Sequence, residues 1–164
     1  MSTTLVAALT TADLRALGVA AIDALSSTQL NALATDHIAA LSTTQVAALT
    51  TAQLSTLSTT NLDAFTSAQV AALTTNEIAS LTTAQIAALG TAQVAAFTST
   101  QVAALTTAQL NALNTTEIGA LTSVQAAALT TTQISSLTTD LLAALSTTDL
   151  RALGSAQIAA LTST

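Results

Sequence analysis

His37, with Asp36 beside it, is the single histidine of this 164-residue chain, and a histidine next to a carboxylate is where base or metal chemistry would be sought. Either chemistry needs partners. There is no second histidine and no cysteine, so a thiolate metal site is impossible and a nucleophile has no His-Asp pair to activate it, however many Ser and Thr residues surround it. His37 therefore reads as a structural capping residue or a surface residue. The acids Asp13, Asp23, Asp36, Asp63, Glu77, Glu117, Asp140 and Asp149 lie far apart, without the dense alternation of a calcium loop. They read as solvated acids or acids at helix starts, and calcium could be held only if folding brought two of them together. Asn114-Thr115-Thr116 has the form of an N-glycosylation sequon, but Asn114 stands where a helix cap is expected. We expect no cofactor, no metal, no small-molecule substrate and no enzymatic activity.

The elements that position these residues follow one period. Every eighth residue from Leu9 to Leu161 is Leu, except Phe65 and Phe97, and no insertion breaks the count. With Leu81 as position 1, the unit reads Leu81-Thr82-Thr83-Ala84-Gln85-Ile86-Ala87-Ala88. Position 2 is Ser, Thr, Asn or Gly except at Ala34, and position 5 is usually Gln, with Glu at 77 and 117. Ser or Thr followed three residues later by Gln or Glu is a capping box. Position 6 is Val, Ile or Leu except at Ala126, so positions 1 and 6 fall at N′ and N4 and form a hydrophobic staple. Both signals place a helix start at the same residue of each octad. Each helix then spans about six residues, positions 3 to 8.

A helix of that length does not persist alone in water, because nucleation is costly. Stacked octads must hold it, with Ala at positions 7 and 8 as close-packing filler and cooperation between neighbours. The fold expected is all-α, a solenoid of short capped helices with one helix per octad. Two rivals are weaker. In one uninterrupted helix, apolar residues spaced by five and three would wind around the axis by about 80° per octad, and paired Thr residues would sit in its interior. A β-solenoid conflicts with the Ala and Gln content and with the lack of period-two alternation. Residues 1–164 form one continuous array, with less regular repeats over about 1–40 and 138–164. The near-identical segments 12–18 and 148–154 lie in those outer parts.

Composition removes several function classes. The net charge of -6 comes from eight acids against Arg15 and Arg151, with no Lys, so no basic face exists for nucleic acid. Although the mean hydropathy is positive, a polar residue interrupts every octad, and no apolar run approaches the roughly 18 residues that span a bilayer. No membrane insertion is expected, and no signal peptide is visible.

Position 3 is Ser or Thr in every octad except at Val19, although the first turn of a helix has no special need of a hydroxyl there. Stacking would align Thr43, Thr51, Thr59, Thr75, Thr83, Thr91, Thr107, Thr115 and Thr131 into rows, a possible recognition surface for ice or a site for O-linked sugars, or a means of keeping an uncharged array soluble.

The pattern at Leu81 to Ala88 and at Leu105 to Asn111 resembles octapeptide arrays of large bacterial surface or secreted proteins, and the resemblance extends over essentially the whole chain. It implies an extracellular or cell-surface structural or adhesive element. The function expected is that of a structural repeat protein, a rigid spacer or a self-assembling filament or surface-layer subunit whose partner is itself, with an ice-binding or glycan-bearing Thr array as the alternative.

Overall fold

The computed structural model describes residues 2–161. Among them are twenty helices of four to seven residues and no strand, beginning with α1 (Thr3–Ala7), α2 (Thr11–Ala16) and α3 (Val19–Asp23), and continuing at one per octad to α20 (Ser155–Leu161). The solenoid of short capped helices is the observed fold.

Each helix begins where the sequence placed it. At α11 (Thr83–Ile86), Thr82 is the extended N-cap, its Oγ1 accepts from the Gln85 N–H at 3.2 Å, and Gln85 Oε1 accepts from the Thr82 N–H at 2.8 Å. The corner between helices needs no glycine. Leu81 (φ -64°, ψ 143°) and Thr82 (φ -73°, ψ 159°) are both extended, and no described residue has positive φ. Two extended residues at positions 1 and 2 turn the chain between one helix and the next.

The turning angle closes after three helices. Every helix but the last three packs against the helix three further along, so one coil holds three octads of eight residues, 24 in all. The structure is thus a three-sided column of stacked short helices. Its core is one axial strip made of positions 1 and 6: Leu81 and Ile86 are 4% and 0% exposed, and Phe65 and Phe97 fill the same place as the leucines. Removing this apolar area from water is the main favourable contribution to folding.

Two details depart from the expected packing. The alanines at positions 7 and 8 are not the filler between coils, since Ala47, Ala87 and Ala95 are exposed and Ala48, Ala88 and Ala96 only half-buried. Where the coils do approach closely, smaller residues make the space. A Cβ on Gly119, in α15 (Thr115–Gly119), would stand 3.3 Å from the Ala144 carbonyl in α18 (Thr139–Ala144). Ala126, in α16 (Ser123–Ala128), replaces the usual large aliphatic residue in the core and lies against α19 (Thr147–Ala152).

Candidate functional site

The arrangement that organises the column is a ladder of buried side chains at position 5. Its glutamines do more than close a capping box. Gln85 is 3% exposed and its Nε2 donates to the carbonyls of Leu54 and Leu57, both at 2.7 Å, in the coil before. Gln101 repeats this with Val70 at 2.9 Å and Leu73 at 2.6 Å, and Gln109 with Ile78 at 2.9 Å and Leu81 at 2.7 Å. Gln45, Gln53, Gln69, Gln93, Gln125, Gln133 and Gln157 make the same kind of bond to carbonyls 28 to 31 residues earlier.

The physical reason lies at the helix C-termini. The last carbonyls of a helix have no partner within it, and the common remedy, a glycine in the left-handed region, is absent because no described residue has positive φ. The position-6 carbonyl already accepts from the position-1 N–H, as Leu54 does from Leu57 at 3.1 Å, so the Gln amide adds a second donor there and supplies the missing one to the position-1 carbonyl. One side chain therefore starts its own helix with its oxygen and finishes an earlier one with its nitrogen. Only an amide offers both an acceptor and donors, and its reach requires the length of Gln.

The exceptions test this account. Asn61, one methylene shorter, reaches Leu30 and Leu33 at 3.3 and 3.4 Å but not its own N-cap. The Ser58 N–H is instead served by Asn31 Oδ1 at 2.6 Å, while Asn31 Nδ2 donates to Thr56 at 2.8 Å. Leu141 has no polar group to offer, and there Asn111 takes over, accepting from the Thr138 N–H at 3.2 Å and donating to Ser136 at 2.9 Å. In both cases a position-7 Asn stands 30 residues before the defective position 5. Replacing Asn31 with Ala should cost about 1 kcal/mol, and the loss should shrink in an N61Q background, where Gln restores the Ser58 bond. Urea denaturation of the double-mutant cycle measures the difference.

Glu77, Glu117 and Asp149 are acids at helix starts, as the second of the two sequence readings has it, and they are buried rather than solvated. They are 5%, 5% and 3% exposed, and each accepts the N-cap N–H of its helix, from Thr74, Asn114 and Ser146 respectively. A carboxylate can take that bond but has no N–H for the carbonyls of the earlier coil. Glu77→Gln gains those donors and should raise stability by about 1 kcal/mol, read as an increased denaturation midpoint with unchanged cooperativity.

His37 does not fulfil the capping role. Its helix α5 (Thr35–Ala40) starts at Ala34 with no side-chain cap, and His37 Nδ1 is buried without a hydrogen-bond partner. Asp36 is exposed and lines a shallow open pocket of about 300 Å³ with Thr11, Arg15, Ala39 and Ala40. Arg15 spends its Nε–H on the Ala40 carbonyl at 2.9 Å, 25 residues further along and one coil up. Asn114 is an N-cap, accepting from the Glu117 N–H at 3.0 Å. No group of three metal-capable residues is found among the described residues, and no helix there is long and apolar enough to cross a membrane.

Asp13 illustrates an exposed cap. The Thr10 hydroxyl donates to its carboxylate at 2.6 Å and the Thr10 N–H at 3.0 Å, and these bonds hold its pKa below the usual Asp value. Its contribution to stability is complete above the ordinary Asp value and is lost as pH falls through the lowered one. An NMR titration of the Asp13 carboxyl carbon should show a midpoint below that of free Asp, and the T10V variant should move it back.

The Thr residues of position 3 fall into three rows, because three octads make a coil. Thr59, Thr83, Thr107 and Thr131 share one row with Thr11 and Thr35; Thr51 and Thr75 lie on a second; Thr43, Thr91 and Thr115 on the third. All nine predicted row residues are exposed except half-buried Thr107. The ladder of Gln amides was missed in the sequence. Its signal was the strong preference for Gln over Glu at a position where a capping box accepts either.

Short helices repeating every eight residues, stacked three to the coil and joined by side-chain amides, define a helical-repeat protein. The sequence profile of the ALTTAQ repeat matches residues 6–43, 38–75, 46–83, 75–107 and 102–139, and the chain belongs to this repeat family. No curated protein and no solved structure matches it.

Proposed function

We propose that this repeat array works as a structural element, a rigid spacer that also assembles with copies of itself as a filament or surface layer, at the cell surface or outside a bacterial cell. The observation that carries the reading is the Gln ladder, which ties each coil to the one before and opposes bending between them. An array whose side chains are committed to joining its own coils acts through its shape rather than through turnover of a substrate. Sedimentation velocity and negative-stain microscopy test this: rods whose mass grows with concentration are expected, and a compact monomer at every concentration would remove the assembly component. Fractionation of the producing cell tests the location, which is expected to be the surface or the medium.

A second reading, ice binding or glycan attachment, is favoured by one feature, the uninterrupted Thr row of residues 11, 35, 59, 83, 107 and 131 at one hydroxyl per coil. Thermal hysteresis near zero, unchanged when Thr59, Thr83 and Thr107 become Val, would eliminate ice binding.

A further inference from the structure

Two rungs inside the ladder carry a glutamate where their neighbours carry an amide. Glu77 and Glu117 each accept the N-cap N–H with one carboxyl oxygen, as the glutamines do, and they are buried to the same degree. The second carboxyl oxygen therefore stands where a glutamine rung has Nε2. In the flanking rungs that nitrogen lies close to a position-1 carbonyl: Gln53 to Leu25 at 2.7 Å, Gln101 to Leu73 at 2.6 Å and Gln93 to Phe65 at 2.7 Å. An oxygen in the same place meets the carbonyl of Leu49 or Leu89 at the spacing of an O–H···O bond, with room for a hydrogen and nothing larger.

Those two carbonyls are otherwise unserved. Leu49 and Leu89 are 4% and 2% exposed, and among the described residues neither carbonyl has a donor. An ionised glutamate sets acceptor against acceptor there. No cation relieves the contact. Glu77 lies in α10 (Thr75–Ser80), which packs on α7 (Thr51–Ser55) and α13 (Ser99–Ala104), and neither holds a titratable residue. Glu117 lies in α15, which packs on α12 (Thr91–Val94), with no titratable residue, and on α18, whose Asp140 is exposed and acidic. The helices before and after α10 and α15 in the chain hold none either.

We propose that Glu77 and Glu117 are proton-binding sites: each carboxyl group takes up a proton and donates it to the carbonyl of Leu49 or Leu89, so that acid completes two open rungs of the ladder. A protonated glutamate has what glutamine has, an acceptor for its own N-cap and a donor for the coil before. Asp149 does not share the property. It is one methylene shorter and is spent on the Ser146 N–H, and Asn61 shows that a side chain of this length serves one end of the rung or the other. Acidification thus tightens the join between coils at two levels of the column, while neutral solution leaves them looser. The inference needs only the ladder and is independent of assembly.

Urea midpoints of the unaltered chain and of the E77Q/E117Q variant, measured side by side from neutral pH down to about pH 4, just below the ordinary Glu value of about 4.3, test this. The variant should be the more stable at neutral pH, and the gap should shrink at least about twofold at the acid end, because every other carboxyl group is common to both proteins. The converse variant Q85E should lose stability at neutral pH and regain about half of that loss or more in acid. A gap that stays constant or widens on acidification overturns the proposal, since the carboxylate is then better served as an ion. A gap closed at neutral pH by sodium or potassium chloride, and unmoved by acid, also overturns it, because a metal cation then fills the rung in place of a proton.

Discussion

Replacing Gln101 with Ala should destabilise the protein by about 3 to 5 kcal/mol, more than any surface substitution in the array. Gln101 is 1% exposed; its Oε1 accepts the Thr98 N–H at 2.7 Å, and its Nε2 serves the carbonyls of Val70 and Leu73. The Val70 carbonyl keeps the Leu73 N–H at 3.2 Å, so the groups left without a partner are the Leu73 carbonyl and the Thr98 N–H, each costing about 1 to 3 kcal/mol. Q101E should fall between the two, because it keeps the N-cap bond and loses the donors. Chemical denaturation of the three proteins gives the ranking directly. If Q101E were as stable as the unaltered protein, the bonds to the earlier coil would contribute nothing, whereas equal losses for Q101A and Q101E would assign the whole effect to them.

Phe97 is the second site of large effect. Phe97→Ala should cost about 3 to 5 kcal/mol, because it empties an aromatic-sized volume in the axial strip, where Phe97 is 3% exposed and the neighbouring Val94 and Val102 are fully buried. Phe97→Leu should cost less than about 1.5 kcal/mol. Leu is the resident of this position in all but two octads, and the column already accommodates it. The contrast separates loss of volume from loss of an aromatic ring, and thermal unfolding followed by circular dichroism measures both. A similar loss for Leu and Ala would mean that Phe97 makes a specific contact rather than filling space.

Both effects spread along the chain, since each coil stabilises only its neighbours. A weakened rung in the middle should broaden the transition, whereas one near an end should fray it. Hydrogen exchange resolved by residue distinguishes these outcomes.

The local level of this structure is written plainly in the sequence. Thr82, Gln85, Leu81 and Ile86 identify themselves as N-cap, box partner and staple, because capping chemistry acts over three or four residues. The number of octads per coil is not legible in the same way. It depends on the summed rotation of two extended residues, such as Leu81 and Thr82, and no side-chain type there reports that angle. The rest follows from that number. Only with three octads per coil does Gln85 face Leu54 and Leu57, does Glu77 become buried, and do the position-3 threonines divide into three rows. Asn31 and Asn61 carried a further clue, two rare residues 30 apart that recur as Asn111 and Leu141. That spacing has meaning once the coil is known.

Position-5 amides join each coil to the previous one, and NMR of the glutamine side chains tests this most directly. The Nε2 protons of Gln85, Gln101 and Gln109 should exchange slowly with solvent and show nuclear Overhauser contacts to residues 28 and 31 positions earlier: Leu57 and Leu54, Leu73 and Val70, Leu81 and Ile78. Rapid exchange at the rate of a free amide, with contacts confined to the same octad, would contradict the ladder and with it the three-octad coil.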